Sequence, residues 1–377
     1  MSDGGNPTGI SKGGAVGPPY SIDSWRIGMQ TEELLEMPFL RNIGIVMTYR
    51  CQVSCAHCVI RAGPLRSEKI EIDEALEWVS QIAKYRNGFV KVLSLTGGEP
   101  FYSLDDIKTI SDFAEAEGLL VSAVTNAFWA TTFENAMQVL NQLPAIKMIS
   151  ISTDAYHLAS IPFEKPKNAI LAARELGIPY TVSVCTCNEQ DLQYQELLKK
   201  LNEITPPDTI MTAVTFAAGR ALEMADLTQY ELTDKVPISA CSAGSSPIVF
   251  PDGRIIACIG PVIDLESSYP LMLGNLRKES LEDILEGAEK NPILHAIRIW
   301  GPKRLIDLAR KAGLGQHIPE RFVKDSICNA CYSLMSNPAI VEYLKELAQS
   351  DFAIRAAYAR GYYLNEIRTI ELLGLEG

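Results

Sequence analysis

Three cysteines, Cys51, Cys55 and Cys58, stand in "CQVSCAHC", separated by three residues and then two, directly after a short apolar run. A tetrahedral metal ion or a cubane cluster normally takes four protein ligands. Three thiolates therefore leave one metal position open to a small chelating molecule. Four further cysteines, Cys241, Cys258, Cys328 and Cys331, are enough to close a second site completely, as an iron-sulfur cluster or as structural zinc. The last two, Cys185 and Cys187, lie in "YTVSVCTCN". On a strand, Thr181, Ser183, Cys185 and Cys187 share one face and Val182, Val184 and Thr186 the other. The valines should pack against outer helices, which turns the thiols inward. Cys187 is then nearest the strand's C-terminal end and Cys185 lies about 6.6 Å deeper; the alternative for both is inert packing of buried thiols.

These residues need a scaffold, and the sequence supplies one. Six apolar runs, "IGIVMTY", "VKVLSLT", "LLVSAVT", "IKMISIST", "PYTVSVCTC" and "TIMTAVTF", alternate with helical periodicity between residues 43 and 216. The first helix places Ile72, Leu76, Val79, Ile82 and Ala83 on one face, and the second opens on Ser103 and Asp106 and stops at Gly118. Strand-helix units in series imply a parallel α/β sheet, open or curled into a partial (β/α)6 barrel, with ligands at the C-terminal ends of the strands. The three-cysteine loop sits at such an end. Beyond residue 228, "SSPIVFPDGRIIACIG" reads as a β-hairpin around Pro-Asp-Gly, followed by helical segments over about 279–298 and 302–312. The expected organisation is a flexible arm over 1–37, the partial barrel over 38–228, a smaller hairpin-and-helix domain over 229–337 and a helical tail over 338–377.

Composition narrows the class of function. The chain is 47% hydrophobic and 21% charged with a net charge of −12, and it has no Lys/Arg-rich run, so nucleic acid is not an expected partner. No apolar stretch is long enough to span a bilayer and no signal-like segment opens the chain, which predicts a cytoplasmic protein without a membrane partner. Nine cysteines in a reducing compartment favour metal ligation or thiol chemistry over disulfides.

At the CxxxCxxC of Cys51, Cys55 and Cys58 the sequence resembles the radical S-adenosylmethionine (SAM) superfamily, and the resemblance extends over about residues 41–335. It implies a [4Fe-4S] cluster whose open iron binds SAM, which is cleaved to methionine and a 5′-deoxyadenosyl radical. The second strand ends in "TGGEP", and the resemblance implies that Gly97, Gly98, Glu99 and Pro100 hold the SAM amino group. The glycines let backbone carbonyls approach closely, and Glu99 can complement an ammonium. By the same resemblance His57 stacks near the adenine, Ser152 and Asp154 of "SISTDAYH" meet the ribose hydroxyls, and Arg220 of "FAAGRA" belongs to the motif after the sixth strand. The spacing CX11GX4C from Cys241 through Gly253 to Cys258, the following "LGNLRKESLEDIL" and the late CxxC resemble a SPASM/twitch extension with one auxiliary [4Fe-4S] cluster.

The implied function is a radical SAM enzyme that removes hydrogen from a C–H bond of a small metabolite or a peptide, served by an electron donor of the flavodoxin or ferredoxin type. The expected outcome leans slightly to oxidation, which a closed auxiliary cluster would assist. The alternatives are an epimerase in which Cys187 returns hydrogen, a peptide maturase forming thioether or carbon-carbon crosslinks, and a non-enzymatic electron carrier or zinc-stabilised protein. About 40 residues precede the first strand, too few for a peptide-binding winged-helix domain.

Overall fold

The computed structural model describes residues 39–215, 217–222, 230–265 and 268–366. The N-terminal arm and the last part of the helical tail lie outside the described residues. The core is built from β1 (Asn42–Val46), α1 (Ile72–Lys84), β2 (Val92–Thr96), α2 (Leu104–Ala116), β3 (Leu120–Thr125), α3 (Phe133–Asn141) and β4 (Ile146–Ser152). It continues through the one-turn α4 (Ala155–Leu158), α5 (Glu164–Glu175), β5 (Tyr180–Thr186), α6 (Leu192–Asn202) and β6 (Ile210–Val214). All six strands are parallel and pair in chain order. Ile43, Ile45, Leu93, Leu95, Ile149 and Val182 share one face by register and have no exposed surface, while the alternate positions carry the buried polar residues Ser94, Thr96, Ser122 and Ser150.

The helices follow their periodicity. In α1 the buried stripe is Ala75, Trp78, Val79 and Ile82, with Ile72, Leu76 and Ala83 packed at its edge. Ser103 Oγ accepts the Asp106 N–H at 3.3 Å and caps α2, and the chain leaves that helix through Gly118 at φ +87°.

The second half holds β7 (Leu232–Thr233), β8 (Ile248–Val249), β9 (Arg254–Ile256), β10 (Met272–Asn275), α7 (Leu281–Glu289), α8 (Pro292–Trp300), α9 (Pro302–Lys311), β11 (Phe322–Val323), α10 (Ile327–Met335), α11 (Pro338–Ala348) and α12 (Phe352–Leu364). The expected hairpin is β8–β9, but it does not stand apart. Strand β8 pairs parallel with β1, and one nine-stranded sheet runs β10-β9-β8-β1-β2-β3-β4-β5-β6. Gly44 permits this approach, since a Cβ there would lie 3.3 Å from Ile248 Cγ1. The segment expected as one helix over about 279–298 is two, because Asn291 caps a new helix by accepting the N–H groups of Ile293 and Leu294, and Pro292 follows it. Among the described residues no helix is long and apolar enough to cross a membrane.

A buried charge cluster fastens α12 to this framework. Arg298 and Arg360, 1% and 2% exposed, both pair with Glu366, and Arg360 also pairs with Glu289. The two guanidinium groups lie over the Phe39 ring at 4.1 and 4.8 Å, and each meets one nitrogen of His295 at 3.0 Å. Burial, then the two arginines, push the His295 pKa well down, so the ring is neutral and two cations face two carboxylates. Removing one partner would leave buried charge unpaired. Arg360→Ala is expected to cost about 3–5 kcal/mol in chemical denaturation, and a loss below about 1 kcal/mol would show that the cluster is not a fastening.

Candidate active site

The loop carrying Cys51, Cys55 and Cys58 follows β1 at the C-terminal edge of the sheet. Cys51 and Cys55 are buried and Cys58 is partly exposed. The loop is pinned from across the barrel by Arg220, whose Nη1 donates to Cys55 O at 2.6 Å and whose Nη2 donates to Ala62 O, while its backbone N donates to Cys58 O at 3.0 Å. Gly219, at φ +60°, makes this approach possible, because a Cβ there would sit 2.3 Å from Val59 O. Arg220 thus acts on the cysteine loop through its backbone.

Each loop sulfur has a donor directed at it. Asn126 Nδ2 reaches Cys51 Sγ at 3.4 Å, Ala62 N reaches Cys58 Sγ at 3.3 Å, and His157 hydrogen-bonds Cys55. Donors of this kind suit metal-bound thiolates, and the loop residues fit a cluster that has three protein ligands.

The Gly97–Pro100 turn lies against the same loop: Gly98 N donates to Thr48 O at 2.6 Å and Glu99 N to Arg50 O at 3.0 Å. A Cβ at Gly98 would lie 2.2 Å from Arg50 O, so the contact requires glycine. Glu99 has no exposed surface, and its carboxylate is taken up by Phe101 N at 3.0 Å, Thr125 Oγ1 at 2.8 Å and Asn126 N at 2.8 Å. It ties the turn to the end of β3. Burial raises its pKa to about 7, against the pull of those hydrogen bonds. A carboxyl raised in the fold contributes stability that is fully present below its unfolded pKa of 4.5 and is lost as pH rises through about 7. Glu99→Gln is therefore expected to gain on the wild type by on the order of 3 kcal/mol across that window in pH-resolved denaturation. A difference that stays constant with pH would contradict the burial argument.

Asp154 is 1% exposed, caps α4 by accepting the N–H groups of Tyr156 and His157, and pairs with His157 Nδ1 at 2.9 Å and His57 Nε2 at 3.5 Å. Its oxygens are committed inside the protein, whereas Ser152 at the end of β4 is half-buried. Burial opposes charge on His157, but Asp154 beside it prevails and raises it to about 10; His57 is lowered to about 4 by burial. His57 stacks on Tyr156, with ring centroids 4.6 Å apart.

Strand β5 is oriented as its pattern implies: Val182, Val184 and Thr186 are buried, while Thr181, Ser183, Cys185 and Cys187 are half-buried on the other face. Deeper in the lumen, Ser150 Oγ bonds both Thr181 and Ser183. Cys185 lies with His57 and Asp154 in a group whose ligand atoms are within 4.8 Å of one another, and burial pushes its thiol up to about 12. Cys187 Sγ lies 2.9 Å from Tyr156 Oη and is also hydrogen-bonded by Tyr230, which is 8% exposed.

The four later cysteines gather from the loop before β8, the end of β9 and the first turn of α10. They are close enough that their charges oppose one another's ionisation, and burial, the larger effect, pushes Cys328 up to about 12. Backbone N–H groups of Gly244 and Ala243 point at Cys241, and that of Gly260 at Cys258. No three of the four sulfurs lie mutually within 4.8 Å. Tetrahedral zinc, with Zn–S near 2.3 Å, would hold them about 3.8 Å apart.

The chain is similar to several known proteins. Residues 45–201 match the model of the Radical SAM superfamily. A putative peptide biosynthesis protein, YydG of Bacillus subtilis (strain 168), is 22% identical over 308 residues, covering 80% of this chain and 94% of its own. Among solved structures, BtrN in complex with AdoMet and 2-DOIA matches with a TM-score of 0.38 and 11% identity over 68% of this chain and 87% of its own. HydG, a maturase of the [FeFe]-hydrogenase, matches with a TM-score of 0.32 and 21% identity over 50% and 49%.

Proposed function

This chain belongs to the radical SAM superfamily, and from that premise we propose that it modifies a peptide by removing hydrogen from a C–H bond and returning hydrogen from Cys187, a radical epimerisation. When bound, SAM and the [4Fe-4S] cluster of the superfamily supply a 5′-deoxyadenosyl radical as the hydrogen-abstracting agent. Cys51, Cys55 and Cys58 are the ligands in this reading. Arg220 and Asn126 hold their loop, the Gly97–Gly98 turn would hold the SAM ammonium, and Ser152 and His57 would border the nucleoside.

The observation that carries the choice of outcome is the placement of Cys187: a half-buried thiol on the lumen face at the mouth of β5, 2.9 Å from a phenol oxygen. A thiol S–H bond is weak enough to give hydrogen to a carbon radical, and this one is sited where substrate would enter. Cys185, packed against Asp154, is the poorer donor. The peptide assignment is supported by the similarity to YydG along most of both chains.

Oxidation is the second reading, favoured by the gathering of Cys241, Cys258, Cys328 and Cys331. An auxiliary [4Fe-4S] cluster held by these four thiols would be able to accept an electron from the substrate. A flavodoxin- or ferredoxin-type donor and a cytoplasmic location complete the proposal. Its test is the mass of the peptide product formed in ordinary water under reducing conditions. Epimerisation leaves the mass unchanged; a product two hydrogens lighter would overturn it in favour of oxidation, and conversion of small metabolites but no peptide would overturn the substrate class.

A further inference from the structure

A thiol that gives up its hydrogen must be restored before it can act again, and the surroundings of Cys187 contain the groups to do it. Its sulfur is hydrogen-bonded by two phenols, Tyr156 from α4 and Tyr230 from the segment that leads into β7. Tyr156 is held firmly: its backbone N–H is taken by Asp154 at 3.0 Å, and its ring stacks on His57 with an interplanar angle of 27°. Tyr230 is almost wholly enclosed. We propose that Tyr156 and Tyr230 are catalytic partners of Cys187, directing its S–H toward the lumen and replacing the hydrogen after each transfer.

Both phenols can donate to the sulfur, which leaves the S–H bond free to point elsewhere. Burial, followed by the contact with Cys187, raises the pKa of each tyrosine, which keeps both O–H bonds intact at working pH. In the first step the Cys187 S–H bond breaks as a C–H bond forms on the substrate, leaving a sulfur radical. In the second a tyrosine O–H bond breaks as the S–H bond re-forms, leaving a phenoxyl radical. A one-electron reductant of the flavodoxin or ferredoxin class then supplies an electron, and water supplies the proton.

The inference rests on the hydrogen-return reading, and the two can fail separately. Holoenzyme containing ring-deuterated tyrosine is mixed with SAM, the peptide used in the product-mass assay and a single reducing equivalent, and freeze-quenched for electron paramagnetic resonance. The expected result is a radical whose hyperfine splitting narrows with the deuterated ring, and which is lost in Cys187→Ala and in the Tyr156→Phe/Tyr230→Phe double variant. No tyrosine radical in the wild type, or one that persists in Cys187→Ala, overturns the proposal. The wild-type arm needs no variant to fold. If solvent hydrogen still reaches the peptide product through Cys187 while no tyrosine radical forms, the hydrogen-return reading stands and the tyrosine partnership alone falls.

Discussion

Replacing Cys51, Cys55 and Cys58 together with Ala is expected to abolish formation of 5′-deoxyadenosine and to lower the iron content from about eight to about four per chain. The expectation follows from the separation of the two cysteine sets. The first three thiols lie on one loop after β1, held by Arg220 and met by Asn126 and Ala62. The other four lie around the β9 end and the start of α10, with their own backbone donors at Cys241 and Cys258. No ligand is shared, so loss of one set leaves the other intact. A triple variant that holds no iron, or holds zinc, would contradict the auxiliary-cluster assignment; continued 5′-deoxyadenosine formation would contradict the assignment of the loop.

Replacing Cys187 with Ala is expected to leave SAM cleavage intact while epimerised product falls to background. The thiol is none of the three loop ligands and its hydrogen bonds go to Tyr156 and Tyr230, so its loss should remove no ligand of the cluster. Asp154 and His57, which neighbour Cys185, keep their mutual contacts without it. The assay is 5′-deoxyadenosine and peptide product measured together. Their ratio rises sharply if the thiol is the donor, and is unchanged if hydrogen comes from elsewhere. Cys185→Ala serves as the comparison, since the deeper thiol should have a much smaller effect on that ratio.

Much of this site was legible in the sequence because its determinants are local. The spacing of Cys51, Cys55 and Cys58, the glycines of the second turn and the alternation in β5 each fix a neighbourhood of a few residues, and the strand pattern fixes the edge on which they meet. What escaped depends on contacts far apart in the chain. Glu99 reads as an available carboxylate until Thr125 and Asn126 are brought to it from the end of β3. Asp154 reads as a strand-end polar residue until His57 and His157 close on it. The pairing of β8 with β1 joins residues some two hundred positions apart, and its one local sign is the absent side chain at Gly44. Tyr230 and the cluster of Arg298, Arg360, Glu289 and Glu366 carry no motif; isolated polar residues on amphipathic helices look the same whether they are solvated or buried in pairs.

The most direct measurement is site-resolved mass spectrometry of the peptide product made by the wild-type enzyme in deuterated water. The Cys187 thiol exchanges with solvent, so hydrogen returned from it carries the label. One non-exchangeable deuterium is expected on the modified carbon, in proportion to 5′-deoxyadenosine formed and absent from the Cys187→Ala reaction. An unlabelled product, or a label that survives the loss of Cys187, would contradict hydrogen return from this thiol.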